Sequence, residues 1–299
     1  MRAVYPDHVG TVERGGVDIA YEVYENDGPT ILLVPTATIL HSRQWKTQIP
    51  YLSRHFRVIS YDGRGNGRSG APDTVAAYLD AEFHADILAV MDATKTPSAV
   101  HIAYCHTVPW SIHTAVHHPH RVSALVAIAP GVEHLAPPMP HYVRAAAHFE
   151  EEVEAPQGWE MLNRRFFLAN YSAYTRFFFT QMHPESHTTK LKEDSVEWSL
   201  GRTPETALLE REARARSALS EEETLAMCRA VTQPTLVVHG DLDQCQSIDR
   251  GRSLAEVTGS ELVVFEGVGH APQAREPVRF NLLIKDFVDR VVPMKVVPA

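Results

Sequence analysis

Short runs of apolar residues recur along this chain, and they constrain its fold more than any other feature of the sequence. Several are apolar almost throughout, such as TILLVPT at 30–36 and TLVVHG at 235–240. Strands of this kind are covered on both faces, as in a parallel sheet with helices on each side. Further strand-like runs lie at 17–24, 56–62, 99–104, 124–130 and 261–267. We therefore predict an α/β protein with a mostly parallel sheet.

The strand pattern stops between residues 131 and 230. This segment begins with the proline-rich HLAPPMPH, and its remainder contains two helical patterns, at 158–181 and 205–231. We therefore expect a helical cap at 131–230, inserted into one core that is formed by 1–130 and 231–299.

Composition narrows the range of partners. The chain has 299 residues, 44% of them hydrophobic, and a formal net charge of -9 at pH 7. This charge argues against nucleic acid or an anionic membrane surface and favours a small-molecule partner. No apolar run reaches the length of a membrane span, so we expect a cytoplasmic protein. The sequence leaves the oligomeric state open.

Three residues with reactive side chains follow three of the predicted strands. Cys105 follows the strand at 99–104, Asp243 lies in HGDLD, and His270 lies in GVGHAPQAREP. Nucleophile, acid and histidine occur in this chain order in α/β-hydrolases.

The chain resembles the α/β-hydrolase superfamily in four passages that follow one another in the expected order. They are YDGRGNGRSG at 61–70, HHPHRVSALVAIAP at 117–130, HGDLD at 239–243 and GVGHAPQAREP at 267–277. The resemblance covers most of the chain. It implies an α/β-hydrolase fold, with the inserted helices forming the cap.

The departures from the family pattern lie at the expected nucleophile. Where the family has Gly-x-Ser-x-Gly, this chain reads Ala103, Tyr104, Cys105, His106, Thr107. A β-branched threonine at the second glycine position could shift the turn. A further departure is Pro35-Thr36 at the end of the third family strand, where His-Gly is usual.

The resemblance implies a Cys-His-Asp triad in which His270 activates Cys105 and Asp243 orients the imidazole. Asp241 in the same turn and Glu133 after the strand at 124–130 are the rival acids. A helix N-terminus and a nearby imidazole would lower the pKa of the Cys105 thiol.

The resemblance also implies an oxyanion hole formed by the main-chain N–H groups of His106 and Ala37. The cap is rich in aromatic residues between 166 and 179, most of which we expect to pack the cap onto the sheet. Others could line an acyl pocket. The candidate substrate-binding residues are Tyr104, His106, Phe166, Tyr171, Tyr174 and Phe178.

The sequence thus predicts an acyl-transfer enzyme that forms a thioester on Cys105, with no metal or cofactor. It would hydrolyse an ester, a thioester or a lactone, pass the acyl group to a small-molecule acceptor, or close a ring. Cysteine in place of serine favours transfer, because amines and thiols attack a thioester more readily than an oxygen ester. The alternative is a catalytically inactive ligand-binding protein with the same fold, in which Cys105 is an inert core residue.

Overall fold

An eight-stranded sheet lies at the centre of the protein in a computed structural model that describes residues 3–186 and 189–292. The strands are β1 (His8–Arg14), β2 (Val17–Tyr24), β3 (Thr30–Leu33), β4 (Arg57–Tyr61), β5 (Ala99–Tyr104), β6 (Val122–Ile128), β7 (Thr235–Gly240) and β8 (Glu261–Phe265). Their spatial order is β1-β2-β4-β3-β5-β6-β7-β8. The first two strands are antiparallel to their neighbours, and every pairing from β4 to β8 is parallel. The predicted mostly parallel sheet is confirmed.

The helices of the described residues fall into two groups along the chain. Those outside the segment between β6 and β7 are α1 (Ile49–Leu52), α2 (Asp80–Ala93), α3 (Val108–His117), α10 (Ile248–Thr258), α11 (Pro272–Arg275) and α12 (Pro277–Val291). Those between β6 and β7 are α4 (Pro140–Ala147), α5 (Arg164–Ala169), α6 (Tyr171–Met182), α7 (Lys190–Ser199), α8 (Pro204–Ser217) and α9 (Glu221–Arg229). None of the helices in the described part of the chain is long and apolar enough to cross a membrane.

The second group of helices occupies the range in which the sequence predicts the cap, 131–230. Two residues of that range, 187–188, lie outside the described residues, as do 1–2 and 293–299 of the predicted core. The division of the chain into core and cap remains a proposal.

Helices cover both faces of the sheet. On one face, α2, α3 and α10 bury Ile87, Trp110 and Leu254, and on the other, α1 and α12 bury Leu52 and Phe280. The central strand β5 is buried at every residue. This explains the uninterrupted apolar runs, because a strand between two helical layers has no face that contacts water.

Parallel pairing brings the carboxyl ends of β5, β7 and β8 to one edge of the sheet. The turns after β7 and β8 are pressed together there. A Cβ atom on Gly240 would lie 2.2 Å from the carbonyl oxygen of Gly269, a distance at which only glycine fits. The residues that follow these strands are therefore neighbours in space, although they are far apart in the sequence.

Candidate active site

Cys105 lies at a sharp turn between β5 and α3. Its φ of +58° is in the left-handed region, which is costly for a residue with a side chain and which marks strained turns at functional sites. The Thr107 hydroxyl donates to the Tyr104 carbonyl at 3.1 Å and accepts the Tyr104 N–H at 3.1 Å. Thr107 therefore bridges the two ends of the turn, at the position where the family has glycine.

A glycine on the neighbouring strand end makes room for this turn. Gly131 follows β6, and its N–H donates to the Cys105 carbonyl at 3.0 Å. A Cβ atom there would lie 3.0 Å from His106 Nδ1 and 3.1 Å from the Cys105 carbonyl carbon and oxygen. The family has glycines on either side of the nucleophile. In this chain, a glycine after the neighbouring strand provides part of the space that the turn needs.

Asp243 and His270 form a buried hydrogen-bonded pair. His270 Nδ1 lies 2.7 Å from Asp243 Oδ2, and His239 Nε2 lies 3.1 Å from the same oxygen. The other carboxylate oxygen accepts the N–H groups of Cys245 at 2.6 Å and Gln246 at 3.0 Å. These contacts fix the carboxylate and leave the far side of the His270 ring for Cys105.

The electrostatic environment favours charged forms of both partners. Burial alone would raise the pKa of Asp243, but the charge of His270 and hydrogen bonds from His239 and His270 hold it below its ordinary value. Burial alone would lower the pKa of His270, but the Asp243 carboxylate and the Cys105 thiolate raise it to about 10. These shifts favour a pair in which His270 is an imidazolium and Cys105 a thiolate.

Neither rival acid occupies this position. Asp241 is exposed, and its Oδ1 accepts the Gly267 N–H at 2.7 Å, which ties the β7 turn to the β8 turn. Glu133 lies on the wall of the cavity that Cys105 and His270 also line. The carboxylate that meets His270 in this structure is that of Asp243.

A second cysteine lies beside Cys105. The sulfur atoms of Cys105 and Cys245 and a ring nitrogen of His270 lie within 4.8 Å of one another. Burial acts to raise the pKa of the Cys105 thiol, but a hydrogen bond from Cys245 and the positive charge of His270 hold it well below its ordinary value. The pKa of Cys245 is raised, because that residue keeps its proton to donate it to Cys105 and because it is buried.

Gln246 completes the surroundings of the sulfur. Its Nε2 donates to Cys105 Sγ at 3.5 Å and to Cys245 Sγ at 3.8 Å. Its Oε1 accepts from Arg250 Nη1 at 2.5 Å, and because a guanidinium can only donate, this contact fixes which end of the amide faces the sulfur. Cys245 and Gln246 were missed in the sequence, although both follow the predicted acid Asp243 within three residues.

These thiols and the imidazole are also the side chains that could hold a metal ion in the described part of the chain. Thiolate and imidazole are ligands that Zn²⁺ prefers. An ion bound there would occupy both Cys105 and His270. Metal binding and nucleophilic use of the cysteine would therefore compete for the same atoms.

A cavity of about 650 Å³ opens above Cys105 and His270. Ala37 and His106, whose N–H groups are the predicted oxyanion hole, lie on its wall. Burial lowers the pKa of His106 to about 4, so its ring is neutral at neutral pH. The cavity is largely apolar, and its aromatic side chains are Tyr142, Phe149, Phe167, Tyr174, Phe178 and Phe179.

Three of the predicted substrate-binding residues, His106, Tyr174 and Phe178, line this cavity. The other three are absent from its wall among the described residues. Tyr104 packs its ring 4.8 Å from that of His270, and the Tyr171 hydroxyl accepts a hydrogen bond from Arg202 Nε at 2.7 Å. Phe166 is half-buried against the apolar core. Helical spacing alone does not show which face of α5 or α6 is turned to the cavity.

Charged residues also lie on the cavity wall, and most of them are not among the site residues predicted from the sequence. They are Glu133, Arg202, Glu210, Arg211, Arg214 and Arg250. Glu210 is buried between Arg202 and Arg214 and accepts from the Thr38 hydroxyl. Burial would raise the pKa of Glu210, but the two arginines hold it below its ordinary value.

Comparisons with known proteins agree with this architecture. A model of the alpha/beta hydrolase fold family matches residues 29–277. A candidate carbamate hydrolase, RutD of Agrobacterium fabrum, is 26% identical over 88% of this chain and 94% of its own length. A crystal structure of a hydrolase from Pseudomonas aeruginosa superimposes with a TM-score of 0.74 at 22% identity, covering 95% of this chain and 99% of the other.

A more local match is to a candidate oxidoreductase, EphD of Mycobacterium tuberculosis. It is 38% identical over 91 residues, which are 29% of this chain and 15% of that protein. The chain therefore spans only a small part of this longer relative.

Proposed function

Because the chain belongs to the α/β-hydrolase fold family, we propose that it is a hydrolase that acts on small-molecule acyl compounds through a covalent thioester on Cys105. The observation that carries the proposal is the buried cluster of Cys105, His270 and Asp243 at a turn with positive φ. The full-length similarity to a candidate carbamate hydrolase supports hydrolysis at a carbonyl carbon. Esters, thioesters and lactones are the proposed substrate class.

In the first half of the proposed reaction, the Cys105 thiolate attacks the carbonyl carbon. The bond from that carbon to the leaving group breaks, and the His270 imidazolium gives its proton to the departing atom. The product is an acyl thioester on Cys105. The main-chain N–H groups of Ala37 and His106 would stabilise the oxyanion, with about 3 kcal/mol for one such donor in studied cases.

In the second half, water attacks the thioester carbon and gives a proton to His270. Loss of the thiolate charge on acylation removes one of the two anions that raise the pKa of His270, so that pKa falls and the ring is more readily neutral and free to accept this proton. The thiolate leaves as the carboxylic acid forms, and the thiolate–imidazolium pair is restored. Asp243 keeps the ring in one orientation throughout.

Acyl transfer or ring closure is the alternative to hydrolysis, and the sulfur of Cys105 is the feature that favours it. In Cys105→Ser the acyl-enzyme would be an oxygen ester, which amines and thiols attack less readily than they attack a thioester. We expect the ratio of transferred to hydrolysed product to fall in this variant at a fixed concentration of amine. If wild type gives only the hydrolysed product, acyl transfer to the acceptors tested is excluded.

Intact-mass spectrometry after incubation with activated acyl esters tests the proposed function. Wild type should gain the mass of one acyl group, and Cys105→Ala should not. Cys228→Ala is the matched control, because Cys228 is also buried and lies on the cap helix α9. An acyl adduct that persists in Cys105→Ala, or the lack of any adduct and turnover in wild type, would contradict the proposal and favour a ligand-binding protein.

A further inference from the structure

The cavity above Cys105 is richer in positive than in negative side chains, although the whole chain carries a net charge of -9. Its described wall contains four arginines and two glutamates. Two of the arginines, Arg202 and Arg214, share the Glu210 carboxylate, and Arg211 lies 4.1 Å from the centre of the Phe149 ring. These three cations therefore have partners within the protein.

Arg250 differs from the other three arginines. It is only 7% exposed, and its guanidinium donates to one neutral acceptor, Gln246 Oε1. Its Nε is buried without a hydrogen-bond partner among the described residues, and none of their carboxylates pairs with it. Burying a cation without a counter-charge is costly, which makes such a group suited to a negatively charged ligand.

We propose that Arg250 forms an anion subsite and that the substrates are acyl compounds with a carboxylate close to the reacting carbonyl. The inference rests on the proposed function, because it takes Cys105 as the reacting residue. A carboxylate matches the planar fork of a guanidinium, which donates two parallel hydrogen bonds to its two oxygens. The aromatic wall would hold the apolar body of the same molecule.

The position of Arg250 sets where the carboxylate lies in the substrate. A single side-chain amide, that of Gln246, separates the guanidinium from the sulfur of Cys105. An anion on Arg250 would therefore lie only a few bonds from a carbon that Cys105 attacks. Short acids activated at a nearby carbon should fit best, and their neutral amides should fit less well.

Alkylation of Cys105 by iodoacetate and by iodoacetamide tests this subsite, because the two reagents differ mainly in the negative charge next to the reacting carbon. The measurement is the ratio of the two alkylation rates at Cys105, from peptide mass spectrometry, with free cysteine as the reference. We expect wild type to favour iodoacetate about tenfold relative to free cysteine. Arg250→Gln should remove that preference, because a tenfold effect is the size expected for one charge-assisted hydrogen bond.

Arg252→Gln is the matched control, because Arg252 is on the same helix, is 61% exposed and pairs with Asp249. It makes the same change in charge outside the cavity and should leave the ratio unchanged. Arg250→Lys keeps the positive charge and should retain part of the preference. If both rates fall together in Arg250→Gln, the residue acts only by orienting Gln246, and the anion subsite is wrong.

A binding measurement tests the anion subsite separately from the proposed function of Cys105. In Cys105→Ala, which has no nucleophile, 3-phenylpropionate should raise the melting temperature more than 3-phenylpropionamide, and Arg250→Gln in that background should abolish the difference. Equal shifts for the two compounds in Cys105→Ala would overturn the subsite. If Cys105 in wild type reacts with iodoacetamide no faster than Cys228, the proposed function fails independently of this result.

Discussion

Two parts of the cavity are built in different ways. What we call the floor consists of Cys105 and His270, which line the cavity, and of Asp243, which is hydrogen-bonded to His270 behind them. All three lie on turns after strands, where main-chain hydrogen bonds hold them. Much of the cavity wall comes from side chains of α6 and α8, two helices between β6 and β7, such as Tyr174 and Arg214. The floor therefore depends mainly on the turns at the ends of the strands, whereas the wall depends on how the helices between β6 and β7 pack over the sheet.

This difference separates two kinds of effect. Changes on the floor alter the charges at the reacting atoms, so they should act on kcat or on the reactivity of the sulfur. Changes on the wall alter which molecules fit, so they should act on KM.

The largest effect should come from the acid of the floor. Asp243→Asn removes the charge that holds His270 as an imidazolium, and kcat should fall by about 10⁴, the loss seen when the aspartate of a serine triad is changed in this way. Asp241→Asn is the control in the same turn, and its kcat should stay within a few-fold of wild type. Equal losses in the two variants would mean that the turn was disrupted and that Asp243 has no special role.

The three cysteines should differ widely in reactivity. Burial raises the pKa of Cys228 to about 11, whereas the pKa of Cys105 is lowered, so Cys105 should react with iodoacetamide at least about 100-fold faster at pH 7. The direction of the pH dependence follows from the lowered pKa of Cys105, because its thiolate should persist as the pH falls from 8 to 6. The rate at Cys105 should change little over that range, whereas an ordinary thiol with a pKa of about 8.5 would lose about tenfold per pH unit. A tenfold loss per unit at Cys105 would contradict the thiolate–imidazolium pair.

A change on the wall should leave the chemistry intact. Phe178→Ala removes an aromatic side chain from the cavity, and KM for a bulky apolar ester should rise about tenfold, the scale of a lost apolar contact, with kcat little changed. Phe177→Ala makes the same change on the preceding residue, whose ring packs against Trp159 and is absent from the described cavity wall. A larger rise in KM for Phe177→Ala would show that the wall is assigned to the wrong face of α6.

The smallest effect should come from the second thiol. Cys245→Ala removes a donor to the Cys105 thiolate, so the pKa of Cys105 should rise and its alkylation at pH 6 should slow by about fivefold, the scale of one hydrogen bond. At pH 9 the two proteins should react at similar rates. Faster alkylation at pH 6 would mean that Cys245 shields Cys105 and does not stabilise its thiolate.

The strand pattern of the sequence agrees closely with the structure where strands are buried. The runs at 17–24, 99–104 and 235–240 coincide with β2, β5 and β7. The edge strand β1 was missed, because HVGTVER has no apolar run and its residues are exposed or half-buried. An edge strand is specified mainly by pairing with its neighbour, here β2, and that pairing leaves little trace in its composition.

The fold, and the strand ends that carry Cys105, Asp243 and His270, can be predicted from the sequence alone. Apolar runs and turn motifs are local features, and four motifs in the order expected of the α/β-hydrolase superfamily indicate the fold. The sequence also predicts helices between residues 131 and 230, because helical periodicity is a local property as well.

The side chains that surround the sulfur are visible only in the folded protein. Cys245 and Gln246 are at least 140 positions from Cys105 in the sequence, and they lie beside it because parallel pairing brings the carboxyl ends of β5 and β7 to one edge of the sheet; Arg250 is connected to the sulfur through Gln246. The arginines of α8 resemble a solvated helix face in the sequence, yet Arg211 and Arg214 line the cavity. A helical pattern shows which residues share a face, but what that face contacts depends on how the helices between β6 and β7 pack over the sheet.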